Sequence, residues 1–141
     1  MIRTTSKIFT AQLQEVRMKV LLAEDSKWEC GIYVPILIEL GCSVTIAEDG
    51  TEALDHLASQ KFDAVITDNG MPWVSGFSLL QSMSKLTCPP PTLIHSGGNL
   101  TTNVAIEAAG SMFPFAHGQP KTYKKESVHR YFAAFLKNVG K

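Results

Sequence analysis

The stretch Phe62-Asp-Ala-Val-Ile-Thr-Asp68-Asn-Gly-Met71-Pro72-Trp-Val-Ser-Gly76 decides how this chain folds. A short, apolar, β-prone run from Ala64 to Thr67 ends in an acid. A turn follows, built from Asn69, Gly70, Met71-Pro72 and Gly76. Open α/β sheets place their chemistry outside the carboxyl ends of buried strands, which is where Asp68 stands. Upstream, Lys19-Val-Leu-Leu-Ala23 closes on a second acidic cluster, Glu24-Asp25. Two strands ending in carboxylates imply one shared acidic pocket, suited to a hard divalent cation and to phosphoryl chemistry.

The same alternation continues on either side. Trp28, Ile32, Ile36 and Leu40 recur every four residues and mark a helix face, with Ser26 placed to cap it and Gly41 to end it. Pro35 falls inside, so this helix either bends or starts late. Ser43 to Ala47 reads as a strand. Residues 52–60 read as a helix capped by Thr51, with Leu54, Leu57 and Ala58 as its inner stripe. Phe77 to Lys85 reads as a helix with Leu79, Leu80 and Met83 turned inward, stopped by the stiff connector Cys88-Pro89-Pro90-Pro91. Thr92 to His95 is a short strand, residues 101–109 a helix, and Met112 to Ala116 the fifth strand, with Pro114 an oddity inside it. Val128, Tyr131, Phe132, Phe135, Leu136 and Val139 give the last helix its inner face. Five strands alternating with five helices predict an α/β fold with a parallel sheet and helices on both faces.

Residues 1–17 read as an extension, a frayed tail or a docking arm, and residues 18–141 as the domain. A chain of 141 residues has room for one core. With 45% hydrophobic and 18% charged residues, disorder is excluded. The 13 basic and 13 acidic side chains cancel, so no electrostatic case exists for nucleic acid. No apolar run approaches the roughly 20 residues of a membrane span, and the N-terminus has no signal-peptide core. Cys30, Cys42 and Cys88 are odd in number and far apart, which reads as buried reduced thiols of a cytoplasmic protein. His56, His95, His117 and His129 have no metal-ligand spacing. No phosphate-binding Gly-x-x-x-x-Gly-Lys-Ser/Thr loop occurs.

Glu24-Asp25, Asp68 and Ser96 each end a strand at the same edge of the sheet, and Lys121 or a neighbour follows the fifth strand. This set has a chemical logic. Carboxylates hold Mg²⁺, one carboxylate attacks phosphorus, and a hydroxyl and an ammonium meet the phosphoryl oxygens. Every member also has a plain reading: Asp25 as a helix cap, Asp68 as a turn residue before Asn-Gly. Trp73, in the loop beside Asp68, is a partner contact, a lid or half-buried packing.

Over about residues 18–139 the chain resembles a response-regulator receiver domain of two-component signalling. The resemblance rests on Val20-Leu-Leu-Ala-Glu24-Asp25, on Ile66-Thr-Asp68-Asn-Gly-Met71-Pro72 with Gly76 beyond it, and on Ile94-His95-Ser96-Gly97. It implies a doubly wound (βα)5 flavodoxin-like sandwich with strand order 2-1-3-4-5. By the same resemblance, Asp68 is the phospho-acceptor and Asp25 the Mg²⁺ carboxylate. Asp68 is then a second metal ligand, the Gly70 carbonyl a third, and Glu24 acts on the metal through water. Ser96 resembles the switch hydroxyl, while Pro72 and Gly76 shape the loop.

The family expects Lys-Pro after the fifth strand, whereas this chain reads Gln119-Pro120-Lys121-Thr122-Tyr123. Counting back from Val128 selects Lys121, and counting forward from Gly110 selects His117; Lys124 is a fallback. Lys121 is preferred because a permanent cation suits a phosphate better than a titrating imidazole. The family's cis peptide is in doubt for want of that proline. Phe115 is the candidate aromatic switch or a plain core residue.

The implied function is acceptance of a phosphoryl group from a histidine kinase or phosphotransfer protein, with slow self-dephosphorylation and no metabolic turnover. A downstream protein would read a surface around the fourth helix, fifth strand and fifth helix, and a homodimer would use the fourth and fifth helices. The chain reads as a stand-alone receiver or one cut from a larger protein. The competing reading is a pseudo-receiver that binds partners without phosphorylation. A phosphatase with Asp68 as nucleophile is disfavoured, because Gly70 stands where such enzymes often carry a second acid.

Overall fold

The computed structural model describes residues 17–96 and 111–140. Residues 1–16 of the N-terminal extension and the helix expected at 101–109 lie outside the described residues. The elements run β1 (Met18–Ala23), α1 (Lys27–Glu39), β2 (Cys42–Ala47), α2 (Gly50–Ser59), β3 (Ala64–Asp68), α3 (Gly76–Met83), β4 (Thr92–Ser96), β5 (Ala116–Pro120) and α4 (Lys125–Lys137). The strands form one parallel sheet in the order β2-β1-β3-β4-β5, the doubly wound arrangement implied by the resemblance.

Side chains alternate between the two faces of a strand. Val20 and Leu22 of β1, with Ile66 of β3, pack under α1 and α4 against Tyr33, Leu37 and Phe132. Leu21 and Ala23, with Val65, pack under α2 and α3 against Ala53, Leu79 and Met83. All five residues of β3 are buried, as a central parallel strand covered on both faces requires. The edge strands β2 and β5 are partly exposed.

Several local expectations need correction. The buried face of α1 is Glu29, Tyr33, Ile36 and Leu37, while Trp28 is 64% exposed. A strict four-residue spacing turns about 40° per step on a helix of 3.6 residues per turn, so 28, 32, 36 and 40 do not share one face. Pro35 neither delays nor ends α1, which is helical from Lys27 to Glu39. Pro35 and Gly31, four residues earlier, are both exposed, so the carbonyl that loses its partner faces water. Gly41, at φ +88, does close the helix.

The cap of α2 is Asp49, whose Oδ1 accepts from the Glu52 backbone N–H at 2.8 Å, and not Thr51. Its buried positions are Gly50 and Ala53; Leu54 and Leu57 are half-buried and Ala58 is exposed. The helix expected from Phe77 to Lys85 runs from Gly76 to Met83. Cys88 is exposed, against the expectation of buried thiols, whereas Cys42 is buried and Cys30 partly so.

The largest correction concerns β5, which is Ala116–Pro120 and not 112–116. Phe113, assigned to that strand, instead packs with Leu80, Ile94 and Ala116. Phe115 precedes the strand as a half-buried packing residue. No peptide bond among the described residues is cis.

Ser26 accepts from the Glu29 backbone N–H at 3.2 Å and so caps α1 as expected. Ser26→Ala is expected to lower stability by about 1 kcal/mol, read as a shift in the urea midpoint at unchanged slope.

Candidate functional site

Asp68 ends β3 at the carboxyl edge of the sheet and is 5% exposed. Its register partner on β4 is His95, so Ser96 lies one residue further along, also buried. Glu24 follows β1, and its backbone N–H donates to the Ala47 carbonyl of β2. One ligand atom each from Glu24, Asp25 and Asp68 lies within 4.8 Å of the others. Glu24 and Asp68 are buried, and Asp25 is exposed.

The loop after Asp68 is folded back on the strand. Asn69 donates its backbone N–H to the His95 carbonyl, and its carbonyl accepts from Gly76. Its side-chain oxygen accepts from the Phe77 backbone N–H at 3.0 Å, at the start of α3. Met71 is buried in the core, and Pro72 is exposed. A Cβ on Gly76 would lie 2.4 Å from the Asp68 carbonyl oxygen and 2.9 Å from the Asn69 Cα. Both are backbone atoms of the site strand and its loop. Gly76→Ala is therefore expected to cost about 1–3 kcal/mol and to be seen as a lowered thermal midpoint. A Cβ on Gly70 would sit 3.8 Å from Asp68 Oδ2, which places Gly70 beside the carboxylate. Trp73 has φ +67 and is 90% exposed, so it is neither a closed lid nor half-buried packing here. The Val74 N–H to Pro72 carbonyl bond at 2.8 Å around it makes a tight three-residue turn.

Lys121 follows β5 directly, and its backbone N–H donates to the Ser96 carbonyl at 2.9 Å. Its Nζ is 3.1 Å from Asp68 Oδ1 and 3.6 Å from Glu24 Oε1. His117, the other positional candidate, lies within β5 against the Phe135 ring, and Lys124 stands at the N-cap position of α4 without a side-chain capping bond. Of the three, the structure brings Lys121 to Asp68.

Glu29 is the residue that sequence reasoning missed. It is buried, and its two carboxylate oxygens accept from Lys121 Nζ at 3.0 and 2.8 Å. Tyr123 OH donates to it at 2.9 Å. The Tyr123 ring in turn leans on Trp28, with centroids 5.2 Å apart. The signal was present: Tyr33, Ile36 and Leu37 follow Glu29 at the helical intervals four, seven and eight.

The charges sort unevenly. Burial pushes the Glu24 carboxyl up to about 9, reinforced by its hydrogen bond with Glu29 and by the charge of Asp68, against the pull of Lys121. The shift favours the protonated acid, while Lys121 Nζ, 3.6 Å from Glu24 Oε1, favours the carboxylate. Burial also opposes charge on Glu29, but hydrogen bonds from Glu24, Lys121 and Tyr123 overcome it and hold Glu29 below the usual carboxylate range. Burial would discharge Lys121; its bonds to Glu29 and the charges of Asp68 and Glu24 outweigh that and keep it an ammonium. Burial and then Lys121 hold His95 down to about 3, so its imidazole is neutral and its 3.9 Å contact with Glu24 is not ionic.

A five-stranded sheet in this order, with an acidic cluster and a lysine at its carboxyl edge, defines a class of two-component signalling domain. The chain belongs to the response regulator receiver domain family, whose model matches residues 20–112. That match stops before β5 and Lys121. The chain is similar to the transcription factor SKN7 of Candida albicans, at 29% identity over 71% of this chain and 18% of that protein. It is similar to the autoinducer 2 sensor kinase/phosphatase LuxQ of Vibrio parahaemolyticus, at 24% identity over 94% of this chain and 15% of that protein. The chemotaxis protein CheY of Pseudomonas aeruginosa is 39% identical over 47% of this chain and 54% of its own length. The chain thus spans about half or less of these relatives. Among solved structures, the receiver domain of Francisella response regulator 1452 superposes with a TM-score of 0.70 at 29% identity, covering 86% of this chain and 98% of that one. CheY4 of Vibrio cholerae gives 0.71 at 23% identity, over 86% and 100%. No helix among the described residues is long and apolar enough to cross a membrane.

Proposed function

We propose that Asp68 accepts a phosphoryl group from the histidine of a sensor kinase or phosphotransfer protein, in a Mg²⁺-dependent reaction. The observation that carries this reading is the placement of Lys121 Nζ 3.1 Å from Asp68 Oδ1, beside a cluster of Glu24, Asp25 and Asp68. The donors fit Mg²⁺. All are oxygens, and Glu24 Oε1 is a buried acceptor with no hydrogen-bond partner, which a cation would satisfy. Asp25, Asp68 and the Gly70 carbonyl would hold the ion, with Glu24 at its outer side. When bound, it would shield the negative charge of the phosphoryl group.

The chain's own residues do the rest. Asp68 supplies the oxygen that bonds to phosphorus as the bond from phosphorus to the donor histidine breaks. Lys121 and the Ser96 hydroxyl bind phosphoryl oxygens and draw the adjoining loops inward. Water later cleaves the acyl phosphate slowly, returning Asp68 and inorganic phosphate. The altered surface near β5 and the C-terminal helix is then read by a downstream protein in the cytoplasm, or by a second copy of the chain. Intact mass after incubation with acetyl phosphate tests this. A gain of one phosphoryl group with Mg²⁺, and none with chelator, is the expected result. A folded chain that ignores both donor and Mg²⁺ would instead favour the pseudo-receiver reading, for which the unconventional Pro120-Lys121 order is the motive.

A further inference from the structure

The chemistry proposed for the cluster assigns no role to Glu29. Yet Glu29 makes the shortest contacts to Lys121, at 2.8 and 3.0 Å, against 3.1 Å for Asp68. Resting on the phospho-acceptor reading of Asp68, we propose that Glu29 is a positioning residue that acts as a brake, holding Lys121 in competition with the phosphoryl group.

The argument is one of donors and charge. An ammonium has three N–H donors and no more. In this state they face the two oxygens of Glu29 and one of Asp68, with Glu24 close by. A phosphoryl oxygen that takes a bond from Lys121 must take it from a carboxylate that is itself buried. Charge-assisted bonds of this kind are the strong ones, so the competition is real. Glu29 also adds a negative charge to the pocket that an incoming anion must enter. Its hold is firm. Ser26 caps its backbone N–H, Tyr123 donates to its carboxylate, and Trp28 packs on the Tyr123 ring. Side chains of Glu29 and Lys121 are each only 9% exposed, so water does not dilute the pair.

Glu29→Gln tests the brake, because glutamine keeps the shape and one acceptor oxygen and removes the charge. With Mg²⁺ present, Glu29→Gln is expected to reach half-maximal labelling at about three- to tenfold less acetyl phosphate, and its acyl phosphate to last about three- to tenfold longer. The ¹⁵N ammonium resonance of Lys121 shifts in the same variant. Glu29→Asp, which keeps the charge, returns each value toward the unaltered chain. The brake is overturned by labelling and decay equal to the unaltered chain. It is equally overturned by altered decay with the Lys121 resonance unmoved. An unaltered chain that takes no label removes the phospho-acceptor reading itself; one that labels while Glu29→Gln matches it removes only the brake.

Discussion

Asp68→Asn takes up no phosphoryl group from acetyl phosphate in Mg²⁺, under conditions that label the unaltered chain fully. The asparagine amide has no anionic oxygen to attack phosphorus, and a neutral side chain is a poorer ligand for a divalent cation. The fold should survive. The amide oxygen can still accept from Lys121, and Lys121 keeps its two bonds to Glu29. The loop also keeps its ties, since Asn69 and not Asp68 bonds to His95, Gly76 and Phe77. Intact mass reads uptake, and circular dichroism confirms the fold. Equal labelling of the variant would move the acceptor to another carboxylate, with Asp25 and Glu24 of the same cluster the candidates.

Lys121→Ala carries the largest expected effect on stability. It removes the cation that faces Glu29, Asp68 and Glu24 and leaves Glu29 buried with Tyr123 as its donor. Breaking one side of a buried pair costs about 3–5 kcal/mol. For a domain of this size that corresponds to a fall of roughly 6–15 °C in the thermal midpoint. The pH dependence has a definite sign. The carboxyl of Glu29 is held below its ordinary value of 4.5, so its share of stability is present above that value and lost as pH falls through the depressed one. The gap between the two chains should therefore narrow in acid. Millimolar Mg²⁺ should also restore part of the loss, because a cation bound only by the folded chain stabilises it. A midpoint within a degree or so of the unaltered chain would mean that Lys121 contributes nothing to the resting state.

The central strands β1 and β3 were legible because they are apolar runs closed by acids, and parallel strands covered on both faces admit little else. Glu24, Asp25 and Asp68 came with them, since a residue at a strand end inherits the position of the strand. The strand β5 was not legible for the opposite reason. Ala116-His-Gly-Gln-Pro120 is polar, lies at the sheet edge and contains a proline, which an edge strand tolerates at its rim. The more apolar Met112-Phe-Pro-Phe looked a better strand, and only packing shows Phe113 serving the core from outside the sheet. Glu29 was hidden by helix phase. Reading α1 at every fourth residue put the apolar Trp28 inward, and a one-residue error of phase turns the helix by about 100°. That phase left Glu29 off the inner face, and it was passed over. Its partner, Lys121, is 92 residues away in the chain, a separation that no local pattern spans.

The two tryptophans give this site a built-in optical readout. Trp73 lies five residues beyond Asp68, on a tight left-handed turn, with its indole in water. Trp28 stands on the helix that carries Glu29 and packs on the ring of Tyr123. An event at Asp68 that moves the loop changes the emission of the first; an event that shifts the Glu29–Lys121–Tyr123 chain changes the second. Replacing either indole with phenylalanine separates the two signals. The resting and engaged states of the pocket thus become visible in real time, without a dye, a label or a partner protein.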